Sequence, residues 1–322
     1  MKHLLNHTVY GSLSYIPGEG TTAENLAAIG ADGVEMLTDY VPPNASLRDL
    51  TEGVHLPYAV DWRSVWRGER EVPRDMGANE VRNLFYGRDR GGVARNLYHA
   101  MHRPRRVDPD YGVLHAGNAS LEELGLWEYS ATDSEVLADF AEMLNTTVAM
   151  APGGEPPFTL MLENLWWPGL RMLDGSGWKY LESKLEFEDW GLCLDIGHLL
   201  ISSGGVRTEE EAIERVWSIV EKYPRGMKDR LSVVHLHLNL SADYLRKDLR
   251  PGDYASLPLE DKLAKGFEIV CGADAHLPFT DPRIVDAVEY VYPEFVTHEV
   301  LEQDSVATIE KFKTQRSLFR RS

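Results

Sequence analysis

Eight short β-rich runs, each followed by a helical pattern, recur along the 322 residues, and this rhythm restricts the fold more than any other feature. The runs are "HTVYGSLSYI" (7–16), "GVEML" (33–37), "GVHLPY" (53–58), "GVLHAG" (112–117), "FTLMLENL" (158–165), "GLCLDIGH" (191–198), "LSVVHLHLN" (231–239) and "EFVTHEVL" (294–301). Between them apolar residues return at helical spacing over 22–30, 133–150, 208–223 and 281–292, with a last helix at about 303–315. Asp133 reads as an N-cap, and Thr208 with Glu211 as a capping box. Eight β/α units in a chain of this length predict a single-domain (β/α)8 TIM barrel of the α/β class. A doubly wound open sheet is the other arrangement that such alternation allows. No linker rich in Pro, Gly or Ser divides the chain.

The longest break in the rhythm follows the third run. Residues 59–79, "AVDWRSVWRGEREVPRDMGAN", would rise from the C-terminal face of the barrel, where active sites of this fold sit. With the helix that follows, to residue 106, they are expected to form an insertion or lid carrying Trp62, Trp66 and an anion-binding set of arginines. The alternative is an Arg-rich surface loop whose tryptophans pack on the barrel. From 61 to 106 eleven arginines stand against six acids, a balance of +5, while the whole chain carries −18 and the remainder therefore −23. That charge disfavours non-specific coating of nucleic acid, which rests on Lys and Arg meeting phosphates. No run of about 18 apolar residues predicts a membrane span. The opening "MKHLLNHTVYGS" makes a poor signal peptide, so a cytoplasmic location is expected. Cys193 and Cys271 lack metal-ligand spacing and are expected to be reduced, buried and unrelated.

Asp195 and His198 interrupt an otherwise apolar run, and a buried charge is costly unless it is paired or bound to a metal. Other strand ends carry similar residues: His55, His115, Glu163, His235, His237 and Glu299, with Asp274 and His276 between runs seven and eight. Strand C-termini of one barrel converge on a small volume. Imidazoles and carboxylates gathered there form a proper ligand set for Zn²⁺, Mn²⁺ or Fe²⁺. Asp195 and His198 are three apart, so a regular strand would aim them at opposite faces, and His198 is expected where the strand has begun to turn away.

These motifs resemble the xylose isomerase-like TIM-barrel superfamily, which holds sugar isomerases, sugar epimerases and the endonuclease IV group of DNA-repair enzymes. The resemblance spans nearly the whole chain and rests on "LEN" (162–164), "CLDIGH" (193–198), "HLN" (237–239) and the Glu of "THEV" (297–300). It implies that Glu163, Asp195, His237 and Glu299 hold one divalent metal, with His235, of the same parity as His237, a second choice one layer deeper. The pattern is closest to the endonuclease IV-like group. "HLPY" matches its third-strand motif and implies His55 and Tyr58, "LHAG" implies His115, and "DAH" implies Asp274 and His276; the His three after Asp195 is His198. "LPFTDP" follows His276 where the nucleases continue with more glycine, a departure that bears on DNA as substrate and leaves the ligands untouched.

One Zn²⁺ takes about four or five ligands, so nine side chains imply two or three ions, with a carboxylate such as Glu163 bridging. The first functional reading is a multinuclear metal hydrolase that cleaves a phosphoester through a metal-bound hydroxide. Glu163, Glu299 and Asp274 would serve catalysis as well as ligation, with Tyr58 beside the substrate. The second is a mononuclear sugar or sugar-phosphate isomerase or epimerase, with Glu163 and Glu299 as its acid–base pair and Trp166 and Trp167 stacking on a sugar. A barrel that only binds is a third. The expected partner is a small phosphorylated or sugar-like substrate; nucleic acid is possible but not favoured by charge.

Overall fold

The computed structural model describes residues 1–8, 16–38, 40, 43, 45–124, 127–247, 252–300, 302 and 304–320. Eight parallel strands close into one barrel in chain order: β1 Lys2–Thr8, β2 Gly33–Leu37, β3 Thr51–His55, β4 Tyr111–His115, β5 Thr159–Glu163, β6 Trp190–Asp195, β7 Leu231–Leu236 and β8 Phe295–His298. β1 pairs with both β2 and β8, Leu4 opposite Gly33 and Lys2 opposite Phe295, which completes the ring. The (β/α)8 expectation therefore holds over the open-sheet alternative. Twelve α-helices are described: α1 Thr22–Ile29, α2 Trp62–Trp66, α3 Ala78–Phe85, α4 Arg90–His102, α5 Asp133–Val148, α6 Ser176–Glu182, α7 Ile196–Ser202, α8 Glu209–Val220, α9 Arg225–Asp229, α10 Leu259–Ala273, α11 Arg283–Tyr290 and α12 Ser305–Ser317. No helix among the described residues is long and apolar enough to cross a membrane.

The first strand lies earlier than 7–16, at Lys2–Thr8, and residues 9–15 of that expectation lie outside the described residues. Its sequence KHLLNHT is buried at six of seven positions, so it lacks the alternation that marks a half-exposed strand. Leu301 and Gln303, at the ends of the last expected strand and helix, also lie outside the described residues. The N-cap of α5 is Thr132 rather than Asp133: its hydroxyl accepts from Glu135 N while Glu135 returns to Thr132 N. Thr208 caps α8, but Glu211 accepts from Arg207 N instead of closing the box.

The barrel interior is layered, and the layers follow from the two-residue period of a strand. Leu4, Tyr111, Val113, Met161, Cys193, Val233 and Phe295 form an apolar plug. Two residues further along, Val113 gives way to His115, Met161 to Glu163, Cys193 to Asp195, Val233 to His235 and Phe295 to Thr297. Each of these five strands thus carries an apolar side chain low in the barrel and a polar one towards its C-terminal mouth. Gly53 makes room for the Tyr111 ring, whose nearest carbon would stand 2.1 Å from a Cβ there. Cys193 is buried in the plug, but Cys271, expected to be buried as well, is exposed on α10.

The Arg- and Trp-rich stretch after β3 is less irregular than its sequence suggests, because it folds into α2 and then α3. Trp62 is fully buried, donates from Nε1 to Gly117 O at 3.0 Å and meets Phe140 of α5. Trp66 donates to Glu142, and Arg90 stacks on its ring at 4.1 Å. The arginines expected to bind anions are largely committed. Arg63 pairs with Asp139 at 2.5 Å, Arg67 with Glu69, and Arg70 with Asp61 and Glu122 at 3.0 and 2.7 Å. Their charge is spent on α5 and neighbouring loops, the arrangement of the packed-loop alternative.

Candidate metal centre

β3, β4, β5 and β6 end on His55, His115, Glu163 and Asp195, while His237 and Glu299 lie one residue beyond β7 and β8. Glu163 is the hub. Its Oε2 lies 3.1 Å from His55 Nε2 and 3.0 Å from His115 Nε2, and its Oε1 lies 3.3 Å from His198 Nδ1 and 3.4 Å from His235 Nδ1. β6 stops at Asp195, and α7 begins at the next residue with Asp195 as its N-cap, accepting from His198 N at 2.5 Å. This turn puts two residues three apart on the same side. Gly197 is needed there because the His237 ring lies over it, 2.0 Å from where a Cβ would be. His237 Nε2 in turn meets Asp195 Oδ2 at 2.9 Å. Asp274, at the end of α10, lies 3.4 Å from His198 Nε2, and His276 stacks on His237 with ring centres 4.2 Å apart. All nine sequence-predicted ligand residues are therefore brought to one rim.

Backbone carbonyls anchor several of the histidines from behind. His55 Nδ1 faces Leu56 O at 3.0 Å, His198 Nδ1 faces Asn164 O at 3.0 Å and His276 Nδ1 faces Asp274 O at 3.2 Å. A carbonyl can only accept, so each Nδ1 carries a proton, while each Nε2 faces a carboxylate: His55 towards Glu163, His198 towards Asp274 and His276 towards Glu299. The buried Oε1 of Glu163 and Nδ1 of His115, His235 and His237 have no hydrogen-bond partner among the described residues. Lone pairs that converge in a dry interior repel unless a cation lies among them. The donors fall into overlapping groups, each within 4.8 Å: His55–His115–Glu163, Asp195–His198–His237, His237–Asp274–His276 and Glu163–Asp195–His235–Glu299. Bonds of about 2.1 Å at tetrahedral angles place co-ligands roughly 3.4 Å apart, so this donor set fits divalent metal.

Charge follows the same logic. Burial alone would raise the Glu163 carboxyl, yet His115 and His235 hold it well below the carboxylate range, and Glu299 is lowered likewise by His235 and His276. Burial would lower His276, but Asp274 and Glu299 lift it to about 9. In the metal-free protein this imidazole is therefore protonated at pH 7, and zinc must displace that proton. Apparent zinc affinity should rise with pH up to about 9, by roughly tenfold per pH unit for each proton released, and then level off. Metal-free stability should move the opposite way. The raised group contributes fully below its unfolded value of about 6.5 and loses that contribution as pH climbs through about 9. Competition titrations and melts between pH 6 and 10 check both slopes; a flat affinity profile would contradict this assignment.

Four residues of the centre escaped the sequence reading. Glu35 is fully buried on β2 and receives Tyr111 OH at 2.7 Å, Thr297 Oγ1 at 3.0 Å and His235 Nε2 at 3.2 Å. Asn6 donates to Glu299 Oε1 at 2.9 Å. Asn164 ties the ends of β5 and β6 together, donating to Asp195 O at 2.9 Å and accepting from Asp195 N at 2.8 Å. Asn239 donates to Asp274 Oδ1 and accepts from the N–H groups of Ala275 and His276, which holds His276 at its left-handed φ of 46°. Signals existed: Glu35 breaks "GVEML" as Asp195 breaks its own run, and the asparagines close "LEN" and "HLN".

The Tyr58 ring packs against His115, tilted by 38° with centres 4.2 Å apart, and burial pushes its hydroxyl up to about 12. It lines a cavity of about 340 Å³ with Thr38, Asn83, His115, His198 and Glu299. Trp166 and Trp167, expected to offer a sugar-stacking face, are instead buried; Trp166 packs on His198 with centres 4.9 Å apart.

The sequence matches no family model and no curated protein. Among solved structures it is similar to a D-tagatose 3-epimerase-like protein, with a TM-score of 0.54 and 16% identity over 99% of this chain and 97% of that one. The 3-keto-D-glucoside 4-epimerase YcjR of E. coli gives 0.51 and 12% over 98% and 99%. Endonuclease IV of Thermus thermophilus gives 0.50 and 15% over 99% and 98%. At such identities the likeness is one of fold, and the chain accordingly shares its closed (β/α)8 barrel with these epimerases and endonuclease IV.

Proposed function

We propose that this protein is a multinuclear metal hydrolase acting on a small phosphoester. The observation that supports it is the donor count: His55 and His115 on one side of Glu163, and Asp274 and His276 beyond His237, add more donors than a single ion has room for. Bound divalent ions would supply positive charge opposite the phosphoester and lower the pKa of a water towards ~7. The chain's own part is to hold that charge in register. Glu163 joins the His55–His115 group to the Asp195–Glu299 group, while Asn164 fixes the Asp195 backbone and Asn239 holds the Asp274 carboxylate. Tyr58, still protonated at neutral pH, is a hydrogen-bond donor at the cavity wall rather than a base. The cavity of about 340 Å³ suits a sugar phosphate or mononucleotide, and the net charge of −18 disfavours long nucleic acid.

The Glu163–Asp195–His235–Glu299 group supports the second reading, with His235 in the place expected of His237, since four buried donors suffice for one ion in a sugar epimerase. Metal content separates the two. Protein purified without chelator should carry two or three metals per chain by elemental analysis. It should also hydrolyse p-nitrophenyl or bis-p-nitrophenyl phosphate in a chelator-sensitive, zinc-restored manner. One metal per chain with interconversion of ketose epimers would replace the hydrolase with the epimerase.

A further inference from the structure

His235 is completely buried and has a different partner on each ring nitrogen. Its Nε2 donates to Glu35 Oε2 at 3.2 Å and lies 3.0 Å from Oε1, a carboxylate that also receives Tyr111 and Thr297. Its Nδ1 makes no hydrogen bond, although it stands 3.4 Å from Glu163 Oε1, 3.5 Å from Glu299 Oε2 and 3.9 Å from Asp195 Oδ2. An imidazolium that served only to neutralise these acids would close on one of them at about 2.8 Å. Similar spacing from three carboxylates, with no close approach to any one of them, is instead the spacing of co-ligands around a common ion. The back-anchored arrangement matches that of His55, His198 and His276, except that the anchor is a carboxylate rather than a carbonyl. Such carboxylate–histidine pairs set the tautomer and raise the basicity of metal-binding imidazoles.

We propose that His235 is itself a metal ligand, a tenth donor, and that Glu35 is the positioning residue that aims it. Glu163, Asp195, His235 and Glu299 would then hold one ion, with three of these donors two residues along their strands from Met161, Cys193 and Val233 of the apolar plug. The inference rests on the metal-centre reading above, but a different measurement decides it. Wild-type metal content judges that reading, whereas the difference between wild type and the two variants judges this one.

The experiment is titration of metal-free protein with Zn²⁺ against a chromophoric chelator, for wild type, His235→Gln and Glu35→Gln. His235→Gln should lose one tightly held zinc equivalent. Glu35→Gln, which keeps an acceptor for Tyr111 and Thr297, should bind the full number with one site weakened about 10- to 100-fold. Wild-type stoichiometry and affinity in His235→Gln, with native circular dichroism, would overturn the proposal. Should that variant not fold, Glu35→Gln decides alone: zinc affinity within twofold of wild type at every site leaves Glu35 and His235 a structural pair only.

Discussion

Glu163→Gln should strip the centre of most of its metal and lower phosphoester hydrolysis at least about 10³-fold, a loss of about 4 kcal/mol of transition-state stabilisation. The substitution keeps size and shape, so it isolates charge. Four histidines from four elements turn on this one carboxylate, within 3.0–3.4 Å. A neutral amide cannot bridge ions, and its NH₂ would confront ring nitrogens already committed to facing inward. Zinc content after purification should fall from two or three per chain to one or none. Glu52→Gln, which removes only the exposed partner of Lys2, is the matched control and should lose nothing. Retention of wild-type metal by Glu163→Gln would end the bridging role and the hydrolase reading with it.

Zinc added to the metal-free protein should raise its melting temperature by roughly 6 °C for each site filled at a thousandfold excess over its Kd. Binding at that excess stabilises by about 4.1 kcal/mol, and a chain of this length unfolds with an entropy of roughly 0.7 kcal/mol per kelvin. The barrel makes the effect visible because the donors come from β3 to β8, so their convergence is lost as a unit when it opens. Three filled sites would give a shift near 18 °C. Mg²⁺ at equal concentration should do far less, since imidazole-rich sites suit zinc over a hard, oxygen-seeking ion. A melt unmoved by zinc would mean that the converging lone pairs are satisfied by protons alone.

Most of the centre was legible because a strand advertises its facing by position. Apolar residues at Met161, Cys193 and Val233 put Glu163, Asp195 and His235 on the same inward side two residues later, with no knowledge of the partner strands needed. His198 was legible for the opposite reason: its three-residue offset from Asp195 required the strand to end, and the helix that starts at Ile196 ends it. Glu35 was overlooked because a lone glutamate that breaks a five-residue apolar run does not disclose what it would meet inside the barrel. Its burial depends on Tyr111, His235 and Thr297, which lie 76, 200 and 262 residues away. The arginines of 61–106 misled for a related reason. Charge counted along the chain does not disclose that Asp139 and Glu142 on α5 lie across from Arg63 and Arg90.

By itself, then, the sequence determined the eightfold β/α rhythm, the layer of each strand that turns polar and the chemical type of each donor, all properties of local periodicity. Tertiary structure alone decided how those donors group, that His235 pairs with Glu35, that Asn6 and Asn239 brace carboxylates while Asn164 braces the Asp195 backbone, and that Trp62, Trp66 and the nearby arginines are occupied with packing. The division has a physical cause: backbone geometry sets which way a side chain points within two or three residues. What it meets there is set by barrel closure, which joins residues hundreds of positions apart.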